Sequence, residues 1–101
     1  MDLRPGLHLD DEALAEFAVR NGIRRLSLFG SALRDDFGPD SDVDLLVEFE
    51  PDRIPGLLQI AAMELELEHL VGRQVELRTY DDLSRQFRDD VVRSARPLHA
   101  A

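Results

Sequence analysis

The sequence predicts an α/β (α+β) domain, a small mixed β-sheet with helices packed on it. Three observations carry this. Segments with helical apolar spacing alternate with short apolar runs, in the order α-β-α(short)-β-α-β-α. Gly22 and Gly72 follow two of the helical segments, where a glycine ends a helix. A dense run of turn formers, Asp35-Asp36-Phe37-Gly38-Pro39-Asp40-Ser41, separates two of the apolar runs. With 101 residues, 44% of them hydrophobic, the chain has the size of one domain with a single modest core.

The first helix is expected over residues 10–21. Leu14, Phe17 and Ala18 recur at i, i+3, i+4, and Asp10 or Asp11 can cap its start. A strand follows over 24–29, with Leu26 and Leu28 alternating against Ser27 and Phe29, and Gly30 ends it. Residues 31–35 suit a short helical turn. The second strand is expected over 43–49. Its centre, Leu45-Leu46-Val47, is apolar on both faces, which places it inside the sheet. Pro51 and Pro55 bound an irregular connection. A second helix over 56–71 takes Leu57, Ile60, Ala61 and Leu65, with Met63 and Leu67 as further candidates, for its buried stripe. A third strand is expected over 74–79, with Val75 and Leu77 on one face and Glu76 on the other. Asp81 or Asp82 then caps a third helix through Ala95, with Leu83, Phe87 and Val91 at i+4 steps, and Pro97 stops it.

Composition narrows the function classes. Cysteine is absent, so neither a disulfide framework nor a thiolate metal site is available. The first residues carry no apolar signal segment, and the apolar runs are too short to span a bilayer, so a cytoplasmic location is expected. The net charge of −9, from 21 acidic and 12 basic residues, argues against broad binding to a nucleic-acid backbone. It suits a metal-dependent site or a basic protein partner.

The chemistry is concentrated around two short stretches. Gly30-Ser31 turns the chain directly after an apolar run, and such backbone turns receive phosphate oxygens. Asp42 and Asp44 stand two residues apart at the head of the next run, so on a strand they share one face. A carboxylate inside an apolar run is costly unless it meets a cation. Glu76, on a strand expected beside this one, would complete a three-carboxylate cluster suited to one or two Mg²⁺ ions. Arg34, one helical turn beyond Ser31, can meet a phosphate or pair with Asp35 or Asp36. His8, His69 and His99 lack metal-ligand spacing. Tyr80 is best read as a boundary aromatic, and Glu64, Glu66 and Glu68 as a solvated helix face. Glu48 falls on the Asp42/Asp44 face.

Gly30-Ser31-Ala32-Leu33-Arg34 together with Ser41-Asp42-Val43-Asp44-Leu45-Leu46-Val47-Glu48-Phe49 resembles the signature of the polymerase β nucleotidyltransferase superfamily. Within it the chain is most similar to the minimal nucleotidyltransferases (MNT). Leu70-Val71-Gly72-Arg73-Gln74-Val75-Glu76-Leu77-Arg78-Thr79 resembles that family's third-strand region. The resemblance implies a polymerase β-like nucleotidyltransferase fold and treats residues 1–101 as a single minimal nucleotidyltransferase domain. It assigns Gly30 and Ser31, with Arg34 and Ser41, to the nucleotide, and Asp42, Asp44 and Glu76 to metal and catalysis. Glu76 stands where members usually carry Asp, one methylene shorter. Leu33 and Asp35 stand where many members have Ala and Gly. The resemblance further implies Mg²⁺, as two ions, with ATP as substrate. It also implies a HEPN-domain toxin as partner, to whose tyrosine AMP is transferred, the chain acting as antitoxin. A non-catalytic or weakly catalytic antitoxin that neutralises the toxin by binding is the alternative. Transfer to a small molecule or RNA end is a further alternative; relatives that do so usually carry extra domains, and the negative charge disfavours RNA.

Overall fold

A computed structural model describes residues 1–100. The first two expected helices and the central strands form where their apolar spacing places them. Helix α1 spans Asp11–Arg20, and the Asp10 carboxylate accepts the Ala13 N–H at 2.9 Å, which caps it. Helix α2 spans Leu57–Val71 and ends on Gly72 in the left-handed conformation, φ 78°. A hairpin of two short strands, β1 (Asp2–Arg4) and β2 (Leu7–His8), precedes α1. Strands β3 (Ile23–Phe29), β4 (Val43–Phe49), β5 (Val75–Arg78) and β6 (Arg96–Ala100) make the main sheet, in the order β5-β4-β3-β6. β4 pairs antiparallel with β3 and parallel with β5, so the sheet is mixed and β4 is internal, as its two-sided apolar centre requires. β6 lies antiparallel on the far side of β3.

Alternation along β4 divides the molecule. Val43, Leu45 and Val47 are buried toward α1 and α2, where Leu14, Phe17, Met63 and Leu67 complete the core. Asp44 and Leu46 point the other way and are half-buried, and Glu48 on that face is exposed. Burying each large aliphatic side chain contributes about 1.5–3 kcal/mol, so this one layer dominates the stability.

Four expectations need correction. The N-terminal hairpin carries too few residues for a periodic signal, yet it buries Leu3, Leu7 and Leu9, and Arg96 pins it by donating to the carbonyls of Leu3 (2.8 Å) and Asp2 (2.9 Å). Pro97 does more than follow a helix: it sits in β6, an edge strand, where a missing N–H can face outward. The third helix, α3, spans only Arg88–Ser94. Asp82 caps a separate 3₁₀ turn at Tyr80–Asp82 by accepting the Thr79 N–H at 3.0 Å. On α2 the buried residues are Met63, Leu67 and Val71, whereas Leu57 and Leu65 are 86% and 60% exposed. This helix is apolar nearly all round, so spacing alone selects no unique face.

Candidate active site

Gly30 stands at the end of β3 with φ +74°, a conformation that turns the chain into a 3₁₀ turn over Gly30–Leu33. The turn packs directly on the acids. A Cβ added to Gly30 would lie 2.5 Å from Oδ2 of Asp44, so only glycine allows backbone and carboxylate to approach this closely. The Ser31 hydroxyl donates to the Asp42 carbonyl at 3.3 Å, tying the turn to the segment that enters β4. The Gly30–Ser31 turn and the acid pair Asp42/Asp44 are thus brought together.

Sheet register brings the third acid alongside. Asp44 lies opposite Phe29 on β3 and opposite Glu76 on β5, and cross-strand partners share a face. The pKa of the Asp44 carboxyl is raised, first by burial and then by the negative charges of Glu76 and Asp42. A divalent cation at this point would relieve both causes.

The three carboxylates do not converge as a complete ligand set. Among the described residues no group of three acidic or imidazole side chains has the geometry to hold a metal ion. Glu76 instead accepts a hydrogen bond from Arg78 at 3.0 Å. The donors nonetheless fit Mg²⁺, which is usually held by one or two carboxylates, with water and substrate phosphates filling its other positions. Asp42 and Asp44 would be those carboxylates.

Two other expected nucleotide residues are engaged within the loop. The Ser41 hydroxyl accepts the Gly38 N–H at 2.9 Å. Arg34 pairs with Asp36 at 3.2 Å, one of the two roles the sequence left open. Glu64 and Glu68 prove to be more than a solvated face. They accept the N–H groups of Leu77 (2.8 Å) and Val75 (3.2 Å), covering the outer edge of β5. Tyr80 donates to Asp89 at 2.6 Å, and that bond raises its phenol pKa. A cleft of about 580 Å³ is lined by Leu46, Glu48, Ile54, Tyr80 and Val92, with Leu46 next to Asp44 on the same face of β4. The sequence held no signal for this cleft, because its walls come from five separate segments, β3 with Arg25 among them.

The profile of the nucleotidyltransferase domain family matches residues 11–99. This chain belongs to that family. A protein adenylyltransferase named MntA, from Thermococcus cleftensis, is 45% identical over 62 residues, which are 61% of this nucleotidyltransferase and 61% of the relative. The chain thus spans about three-fifths of that relative. A solved minimal nucleotidyltransferase matches with a TM-score of 0.71 and 38% identity, over 96% of both chains. A chain of a toxin–antitoxin structure solved with AMP-PNP matches with a TM-score of 0.72, over 92% of this chain and 75% of that one. At 18% identity, this last likeness establishes the fold alone. Among the described residues no helix is long and apolar enough to cross a membrane.

Proposed function

We propose that this nucleotidyltransferase transfers AMP from ATP to a tyrosine hydroxyl of a HEPN-domain toxin and thereby acts as its antitoxin, with Mg²⁺ held by Asp42 and Asp44. The observation that carries the reading is the contact between Gly30 and the Asp44 carboxylate. It brings a turn suited to phosphate within reach of an acid pair whose charge calls for a cation. The 45% identity to a protein adenylyltransferase supports a protein acceptor, and the shared fold with a toxin–antitoxin chain supports the partner class.

When bound, Mg²⁺ would neutralise the triphosphate and polarise the α-phosphoryl group. The chain's own residues do the rest. The Gly30–Ser31 turn seats the phosphates. The acceptor tyrosine comes from the open face of the sheet, along the cleft beside Leu46. Its oxygen forms a bond to the α-phosphorus while the bond from that phosphorus to the α,β-bridging oxygen breaks. Pyrophosphate leaves, and Glu76 takes the phenolic proton. Glu76 must exchange its bond to Arg78 for the acceptor hydroxyl.

That bond favours a second reading, in which the chain silences the toxin by binding alone. The two readings part on whether silencing needs ATP and Asp42. Toxin activity should fall only when ATP and Mg²⁺ are present, and Asp42→Ala should abolish the effect. Silencing by the Asp42→Ala chain without ATP would establish the binding antitoxin instead.

A further inference from the structure

The loop between the Gly30–Ser31 turn and Asp42 is gripped by arginines from two distant parts of the chain. Arg4, at the end of β1, donates to the carbonyls of Ala32 (3.1 Å) and Arg34 (2.9 Å). Arg73, in the short connection from α2 to β5, donates from Nη2 to the carbonyls of Gly38 and Ser41 (2.7 Å for the latter). Both guanidinium groups stack on the Phe37 ring, each with Cζ 4.5 Å from its centroid. Two like charges on one ring repel each other, so the arrangement persists because each guanidinium also satisfies two carbonyls.

The Arg73 contacts fall at a telling place. Ser41 immediately precedes Asp42, and its carbonyl is bound by the Arg73 side chain. Val43 immediately follows Asp42, and its N–H donates to the carbonyl of Gln74 at 2.8 Å. Two consecutive residues therefore hold Asp42 from both flanks. The same segment continues into β5, where Glu76 stands opposite Asp44. We infer that Arg73 is a positioning residue, which fixes Asp42 relative to Asp44 and Glu76 and so sets the affinity of the acid pair for its metal. This rests on the function proposed above, though its test does not require transfer activity. A planar group that stacks on a ring while one of its nitrogens binds two carbonyls is a task for arginine, and lysine, a point charge with no plane to stack, does not reproduce it.

The test measures Mn²⁺ affinity by electron paramagnetic resonance, with a non-hydrolysable ATP analogue present, for the wild-type chain, Arg73→Lys and Arg73→Met. Amide hydrogen exchange is followed in parallel. Both variants should bind Mn²⁺ about tenfold more weakly, as when a supporting residue behind a metal ligand is lost. Exchange should quicken at residues 38–43 while the β3 amides stay protected. Lysine should fail to rescue the affinity. Wild-type Mn²⁺ affinity in Arg73→Lys or in Arg73→Met would overturn the inference and leave the proposed activity standing. The predicted loss of affinity, in a chain that transfers no AMP, would support the inference and end the activity reading.

Discussion

Replacing Gly30 with alanine tests the contact on which the site is built. The substitution has two costs. At φ +74° an L-residue loses about 1–2 kcal/mol relative to glycine. The new methyl also meets Asp44 Oδ2 at 2.5 Å and Asp44 Cβ and Cγ at 3.3 Å, where forced overpacking costs about 1–3 kcal/mol more. Gly72 isolates the first cost. Its φ of +78° is nearly the same, but a Cβ there would meet nothing within 4 Å. At about 4–8 °C per kcal/mol for a domain of this size, Gly72→Ala should lower Tm by roughly 4–16 °C and Gly30→Ala by roughly 4–24 °C more. Thermal unfolding by circular dichroism reads both. Asp44→Ala combined with Gly30→Ala should recover most of the difference, because the 2.5 Å contact disappears with the carboxylate. Equal Tm values for the two alanine variants would refute the reasoning, since Gly30 would then be needed for its φ alone.

Two further outcomes follow from the same geometry. Asp44 has a folded-state pKa above its ordinary 3.8, so the folded chain holds that proton more tightly, and its ionisation costs stability as pH rises through the raised value. Asp44→Asn should therefore raise Tm at pH 7 without divalent cations, by only about 1–3 °C because the site is partly solvated. The gain should vanish as pH falls toward the ordinary carboxylate range, and a stability loss at pH 7 would contradict this. Glu64→Ala should cost about 1–2 kcal/mol in urea unfolding, because it orphans the Leu77 N–H, while Glu64→Gln should keep most of the stability. Equal losses would show that charge, rather than the accepted bond, matters there.

How far the sequence reveals this molecule differs from element to element. β4 was expected over 43–49 and forms over Val43–Phe49, because an apolar run bounded by turn formers admits little else. The nearness of Gly30 to Asp44 followed from a turn and an acid pair at the ends of two neighbouring strands. The pairing of Glu76 with Asp44 followed from a strand apolar enough to lie beside β4. The rest depends on tertiary contacts. Phe37 reads as one apolar residue in a loop, and only the folded chain sets both Arg4 and Arg73 against its ring. Glu64 and Glu68 look like solvent-facing helix residues until an edge strand arrives beside them. Leu83, Phe87 and Val91 keep helical spacing from the connection after the 3₁₀ turn into α3, which a periodic pattern cannot distinguish from one continuous helix.

The central claim is most directly tested by the intact mass of a HEPN-domain partner after incubation with this chain, ATP and Mg²⁺. Asp42→Ala/Asp44→Ala serves as the control. The account predicts a gain of one or more AMP units on the partner, absent with the control. An unchanged mass in a stable complex that still silences the partner would contradict transfer and leave a binding antitoxin.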